Sequence, residues 1–487
     1  MSEKMSGAMM SRRDVVSATI SAMALASGAK ATEAGHLRSA PVGPARKPNI
    51  LFIVADDLGY ADVSCYGRRD YRTPAIDRLA AEGLRFLQGY ANSSVCSATR
   101  TALITGRYQY RLPLGLEEPL DERDVGLPPS HPTLPSILRR QGYGTTLIGK
   151  WHLGALPNYS PLKSGYDHFW GFRAGGVDYF THKYFGKPDL WDGDVPIERN
   201  GYLTDLLAER AIESIDAYAK ADRPFLISLH FNAPHWPWEG PADQAESVRL
   251  DESGKPEAML HFDGGSQRIY AEMVTRMDMQ IGRILDRLDA LKIADDTIVI
   301  FTSDNGGERF ADTWPFTGRK TELLEGGLRV PAIIRWPGRV AAGEASQQVM
   351  MSMDWMPTLL AAAGASADPA YPLDGVSLLP ALANTSHIVP RTLCWRYKNL
   401  DQEACRKGNL KYLKILENHF LFNVIDDPME RANLKDRMPE QFAELKAIYD
   451  EWARTMLPLD PKSQTHGFDA HNLADHYGAK MQNSVIR

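Results

Sequence analysis

The sequence predicts an α/β protein: a doubly wound sheet flanked by helices, with a smaller C-terminal antiparallel sheet plus helix. Three observations predict it. Continuous apolar runs recur through most of the chain and end at polar residues, as strands buried on both faces of a parallel sheet do. Helical patterns lie between those runs, and that alternation defines a doubly wound domain. After Pro390 the runs become short and are separated by polar turns.

The elements follow in order. Residues 49–54 (NILFIV) form the first strand, which ends at Asp56-Asp57. Strands follow at 145–148, at 224–231 (PFLISLHF) and at 297–302 (TIVIFT), the last ending at Ser303-Asp304-Asn305. Residues 330–336 (VPAIIRW) make a fifth. Over 268–291, Tyr270, Met273, Met277, Ile281, Ile284, Leu288 and Leu291 recur at spacings of three or four, one stripe on a long amphipathic helix. A helix over 354–363 has Asp354 to cap it and Gly364 to stop it. Strand-like runs at 393–397, 410–416 and 419–424 predict the antiparallel sheet, with a helix near 439–456. The expected organisation is an export signal at 1–31, a leader at 32–46, a catalytic α/β domain at 47–385, a subdomain at 386–460 and a polar tail at 461–487.

Composition narrows the function. The chain has 487 residues and a net charge of −6, which argues against a nucleic-acid partner. No basic groove for a long polyanion is evident. An apolar content of 44% argues against disorder, and four Cys in so long a chain do not make a disulfide scaffold. Beyond the N-terminus no apolar run is long enough to span a bilayer, so no membrane span is expected in the mature chain. Arg12-Arg13, the apolar run 15–26 and Ala29-Lys30-Ala31 resemble a twin-arginine export signal with its cleavage site. The expected location is therefore periplasmic or extracellular.

The chemistry collects where the strands end. Asp56-Asp57, Lys150-Trp151-His152, His235 and Asp304-Asn305 all follow strand patterns, and in such sheets ligands bind beyond the carboxyl ends of the strands. Three carboxylates and an amide would repel one another without a cation among them, and an all-oxygen set suits Ca2+ or Mg2+. Cys96 opens a helix whose first turn carries Arg100. A helix N-terminus favours an anion. Nucleophile, helix end and Arg together suggest attack on a phosphate or sulfate ester; the alternative is a buried structural Cys. Lys150 and Lys320 could equally be solvated, and His152 and His235 structural.

Read as motifs, these residues resemble the sulfatase family. CSATRTALITGR, beginning at Cys96, is similar to the sulfatase signature. Asp56-Asp57-Leu58-Gly59-Tyr60, Gly149-Lys150-Trp151-His152-Leu153-Gly154, Pro234-His235-Trp236-Pro237, Thr302-Ser303-Asp304-Asn305-Gly306 and Lys320, five residues before Glu325-Gly326-Gly327, match the family's remaining motifs in order. The segment 422–434 resembles its closing strand and loop. The overall layout looks most like the arylsulfatase and N-acetylgalactosamine-6-sulfatase group.

The resemblance implies an alkaline-phosphatase-like mixed sheet and a sulfuric ester hydrolase. It implies that Cys96 is oxidised to formylglycine by a formylglycine-generating maturation enzyme, and that the hydrated aldehyde attacks sulfur, releases the alcohol and then expels sulfate. Asp56, Asp57, Asp304 and Asn305 would hold one Ca2+, with the residue at 96 as a further ligand. Arg100 would steady the nucleophile, His152 would act as base, Lys150 and Lys320 would hold sulfate oxygens, and His235, with Lys320, would assist the leaving alcohol. Ala98 stands where the usual signature has Pro, a departure that bears on which maturation enzyme acts.

The substrate should be a sulfated small molecule or glycan. The segment 169–191 carries Trp170, Phe172, Tyr179, Phe180, His182, Tyr184, Phe185 and Trp191, which could wall a pocket for a sugar or aryl group or simply pack the loop. Trp236, Trp238, Trp314 and Trp395-Arg396-Tyr397 are further candidates. Cys65 reads as packing, and Cys394 and Cys405 could pair. Two other functions compete: a formylglycine-dependent phosphonate monoester or phosphodiester hydrolase, and a non-catalytic sulfated-glycan binder.

Overall fold

A computed structural model describes residues 47–116, 118, 124–463, 465, 467 and 473–476. The export signal, the leader and most of the tail lie outside them. The first strand is Asn49–Ala55, and it sits at the centre of a ten-stranded mixed sheet. On one side it pairs in parallel with Thr297–Ser303; on the other it pairs with Phe225–His230, followed by Gly144–Lys150 and His168–Phe172, all parallel. Hairpin strands Trp191–Asp192 and Val195–Pro196 close that edge. Beyond Thr297–Ser303 lie Ala332–Arg335, which runs antiparallel, then Leu84–Tyr90 and Glu344–Met351.

The fifth predicted strand is thus shorter than its apolar run, and it is reversed. Besides the two hairpin strands, three strands of this sheet escape the apolar-run pattern, for physical reasons. Leu84–Tyr90 (LRFLQGY) carries Arg, Gln and Gly, the edge strand Glu344–Met351 is half polar, and His168–Phe172 is short.

Alternation along the central strand explains the two helical layers. Leu51 and Ile53 face a core built with helices Pro74–Glu82, Leu203–Lys220 and Gln267–Ala290. Ile50, Phe52 and Val54 face a second core with Cys96–Thr105, Leu134–Arg140 and Trp355–Ala362. Gln267–Ala290 buries the expected stripe, and Ser266 caps it by accepting from the Ile269 N–H at 3.2 Å. Among the described residues no helix is long and apolar enough to cross a membrane.

Asp354 corrects one expectation. It precedes Trp355–Ala362, yet its carboxylate does not cap that helix. It accepts instead from the Met351 N–H at 2.8 Å, the Val376 N–H at 2.9 Å and Arg391 at 2.6 Å. Gly364 does end the helix, in the left-handed region at φ 66°.

The C-terminal sheet has four antiparallel strands: Thr392–Tyr397, Gln402–Lys407, Leu410–Ile415 and Asn418–Asn423. The second was not evident as a run, because Gln402-Glu403 and Arg406-Lys407 interrupt it. Helix Pro439–Arg454 covers one face, packing Leu445 and Tyr449 on Tyr412 and Leu421. The sheet is anchored to the larger one by buried polar contacts. Lys411 lies 2.9 Å from both Glu325 and Glu430, and Trp395 donates to the Ala91 carbonyl at 2.9 Å. Cys394 and Cys405 face each other as free thiols.

Candidate active site

The register of three parallel strands builds the site. Ala55 pairs with Ser303, and Val54 pairs with both Thr302 and His230. Asp56-Asp57 and Asp304-Asn305 therefore leave the sheet side by side. Lys150 ends the adjacent strand, with His152 two residues beyond. Helix Cys96–Thr105 brings Cys96 at its first position, with Arg100 one turn on. Asp57 and His152 hold left-handed backbone, φ 62° and 53°, a strain met at functional sites and held here by surrounding structure. For Asp57 that includes its N–H donating to Asp304 Oδ1 at 3.2 Å.

The site is buried and charged. Lys150 Nζ lies 2.7 Å from Asp56 Oδ2, and Lys320 Nζ lies 2.7 Å from Asp57 Oδ2. Arg100 donates to Asp304 Oδ2 from Nε at 3.0 Å, and its second nitrogen lies 2.9 Å away. Asn305 Nδ2 donates to Asp57 Oδ1 at 2.7 Å, and His235 Nε2 lies 3.5 Å from Asp57 Oδ2. Cys96 Sγ sits 3.9 Å from Asp57 Oδ1. All these side chains are buried. The structure thus brings every residue of the predicted site into one cluster.

Burial sets the protonation states. It pushes the Asp56 carboxyl up to about 8, against the pull of Lys150. It pushes the Cys96 thiol well above its usual range despite Lys150 and Lys320. His152 is held well below the usual imidazole range by burial and by the nearby Lys150 and Arg100. For Lys320 burial works downward, but Asp57, Cys96 and Glu308 outweigh it and raise the ammonium pKa.

The donor set fits a hard cation. Asp56 Oδ1 and Asn305 Oδ1 are buried with no hydrogen-bond partner, an arrangement that costs energy unless something fills it. Asp56, Asp57, Cys96 and His235 each bring one potential ligand atom within 4.8 Å of the others. His235 therefore stands among the candidate ligand atoms. Asp304 is held by Arg100 and the Asp57 N–H.

Two residues of the site escaped sequence reading. His230, the last residue of its strand, has Nδ1 3.1 Å from Arg100 and 3.1 Å from the Lys150 carbonyl. Its polar ring at the end of an apolar strand was the available signal. Glu308 is buried four residues after Asp304, with Oε2 3.6 Å from Lys320 Nζ and neither oxygen hydrogen-bonded.

The aromatic segment divides. Trp170, Phe172 and Tyr179 are core residues, so for them packing is the correct reading. The segment nevertheless shapes the site. A Cβ on Gly175 would come within 2.8 Å of the His152 ring, and one on Gly176 within 2.9 Å of the His235 ring. Tyr179 donates to the His235 carbonyl at 3.0 Å. Trp238 and Trp395 are also buried, and Trp314 is 62% exposed.

Fold and site together define an alkaline-phosphatase-like enzyme architecture with a buried, metal-compatible centre for anionic esters. The sulfatase family model matches residues 48–365, and the one described as N-sulphoglucosamine sulphohydrolase, C-terminal, matches 318–454. The chain belongs to the sulfatase family, a family of sulfuric ester hydrolases. It is 34% identical over 368 residues to human N-acetylgalactosamine-6-sulfatase, covering 70% of this chain and 66% of that protein. It is 31% identical to mouse arylsulfatase J, covering 86% of this chain and 78% of that one. Among solved structures it resembles "Crystal structure of Ps i-CgsB in complex with k-i-k-neocarrahexaose", with TM-score 0.75, 30% identity, and coverage of 84% of this chain and 93% of that one.

Proposed function

We propose that this protein hydrolyses a sulfate ester of a carbohydrate, using a formylglycine made from Cys96 and one Ca2+. The observation that supports this best is the ring of buried cations, Arg100, Lys150 and Lys320, around Cys96 at a helix N-terminus. The carbohydrate reading is supported by the similarity to a galactosamine-sulfate sulfatase and to a structure solved with a neocarrahexaose. The thiol itself is buried and protonated, and therefore a poor nucleophile as it stands.

Asp56, Asp57, Asp304 and Asn305 would hold the cation, with the residue at 96 as a further ligand. The cation and the formylglycine, when present, supply charge neutralisation and a hydroxyl nucleophile at one point. The remaining work falls to the chain. Lys150 and Lys320 hold the sulfate oxygens in a low-dielectric site, where fixed charges act strongly. Arg100 steadies position 96 and the anion. His152 is neutral, so it accepts the proton that lets the aldehyde reform. His235 and Lys320, beside Asp57, hold the departing oxygen and supply its proton. Export through a twin-arginine-like signal, and a division into a 47–385 catalytic domain and a 386–460 subdomain, complete the proposal.

The decisive experiment is the mass of tryptic peptide 86–100 from protein made in its native host, with hydrazide trapping, followed by sulfate release from sulfated sugars. An aldehyde and released sulfate are expected. An intact thiol in active protein would overturn the nucleophile. Phosphodiester turnover far above sulfate turnover would overturn the substrate class.

A further inference from the structure

Cys394 and Cys405 are directly opposed on the strands Thr392–Tyr397 and Gln402–Lys407. Theirs is a non-hydrogen-bonded pair, the kind that brings side chains closest. The Cys394 N–H turns away from its partner strand and donates to the Tyr108 hydroxyl oxygen at 3.3 Å, as the Arg396 N–H does to Tyr110 at 3.3 Å. The two Sγ atoms are 3.0 Å apart. A disulfide spans about 2.05 Å, so closing the bond asks for a movement of about one ångström.

Both thiols are buried, Cys394 at 2% exposure and Cys405 at 0%, but only Cys394 borders open space. Cys405 is fully buried against Tyr412, Leu421, Leu445 and Tyr449. Cys394 lines a groove of about 700 Å³ with Thr392, Lys407, Glu444, Ile448 and Trp452. The half-exposed Lys407–Glu444 ion pair, 2.6 Å, stands in that groove. A small oxidant entering the groove therefore meets Cys394 before Cys405, once the groove wall opens enough to uncover its Sγ.

We propose that Cys394 and Cys405 are a redox site that forms a reversible cross-strand disulfide by exchange with a small-molecule disulfide. The Cys394 thiolate attacks one sulfur of the oxidant and expels its other half as a thiol. The Cys405 thiolate then attacks Cys394 Sγ, expels the second thiol and closes the bond. The two cysteines lose two electrons and two protons, and the oxidant gains both as two free thiols. The bond pins the edge strand that carries Trp395, whose indole donates to Ala91 in the loop leading to Cys96. Exchange is slow, because the hydrogen bond to Cys405 and burial hold the Cys394 thiol protonated.

Trypsin separates the two cysteines, since Arg396 and Lys398 lie between them. The full chain is incubated to completion with excess oxidised glutathione at about pH 8.5, where an ordinary thiol is half ionised. It is then acid-quenched, alkylated and digested without reductant. The expected product is peptide 392–396 joined to 399–406, two hydrogens lighter than the sum of the reduced pair. The oxidised chain is also expected to unfold a few degrees higher than the reduced one, a difference that dithiothreitol reverses and Cys405→Ser abolishes. Recovery of both peptides separately and alkylated overturns the proposal, and so does Cys394 stalled as a glutathione adduct. If Cys405→Ser fails to fold, the wild-type peptide map decides alone.

Discussion

Lys320 Nζ stands between two buried carboxylates, 2.7 Å from Asp57 Oδ2 and 3.6 Å from Glu308 Oε2. One ammonium thus ties a candidate metal ligand to an acid whose oxygens have no hydrogen bond. Removing it withdraws a fixed charge from the ring of buried cations around Cys96. Lys320→Ala should lower kcat for sulfate esters by about a hundred- to a thousand-fold, the scale of losing one preorganised donor. Steady-state kinetics on the matured enzyme check this, with circular dichroism confirming the fold. A kcat within threefold of wild type would exclude Lys320 from the reaction.

With a cation on Asp57, Glu308 would be the remaining carboxylate beside Lys320, at 3.6 Å, to keep it charged and directed. Glu308→Gln preserves shape and removes the charge. Its effect should depend on the alcohol released: small for a nitrophenyl sulfate, whose leaving group needs little proton assistance, and at least tenfold larger for a sugar sulfate. Equal losses on both substrates would assign Glu308 to stability alone.

The site was more legible than the sheet that carries it. Asp56-Asp57 and Asp304-Asn305 end two uninterrupted apolar strands, and that junction is visible in one dimension. The order of the strands is not visible in this way. Leu84–Tyr90 and Glu344–Met351 lie towards the edge with polar residues in their runs, and the reversal of Ala332–Arg335 depends on long-range pairing. Glu308 and His230 join the site through contacts between loops and strands distant in sequence; no local spacing marks Glu308, and only a polar ring at the end of an apolar strand marks His230. Asp354 occupied the expected cap position, but Arg391, 37 residues away, claims its carboxylate.

Asp56 must be ionised to bind a cation, and in the metal-free site burial raises its pKa to about 8. Below that value the folded apoprotein holds a proton that the ion must displace. Ca2+ affinity should therefore increase from pH 6 to pH 8, with proton release on binding. Titration calorimetry in two buffers of different ionisation enthalpy reads both quantities. The sign for stability follows from linkage. Between the unfolded value of 3.8 and about 8 the folded state binds more protons, so Asp56 makes the metal-free protein less stable as pH rises through that window. Added Ca2+ should reverse the trend. Affinity that does not change with pH would place the ion elsewhere.

His152 is kept neutral by burial and by its cationic neighbours, and its Nδ1 has no hydrogen-bond partner. It can accept a proton well below neutral pH without first losing one. His152→Ala should lower kcat by about a hundred- to ten-thousand-fold, and sulfate-labelled enzyme should accumulate as regeneration slows. Rapid-quench mass spectrometry after mixing with substrate reads that species. Its absence, with kcat reduced, would move His152 to an earlier step.

Lys411 carries the charge that joins the C-terminal sheet to the catalytic one, between Glu325 and Glu430 at 2.9 Å each. Burial would raise both acids, but Lys411, Arg329 and Arg406 overcome it at Glu325 and hold that carboxyl well below its usual range. Glu430 has fewer cations near it and is raised to about 7. Glu325 therefore contributes stability above its unfolded value, which is lost as pH falls through the folded one. Lys411→Met strands both acids in the interior, which costs about 3–5 kcal/mol when one partner of a buried pair is removed. That loss should be larger at pH 8, where Glu430 is ionised in wild type, than at pH 5, where it carries a proton. Urea unfolding of wild type and Lys411→Met at both pH values measures the difference. An equal loss at both would show that shape, rather than charge, holds the two sheets together.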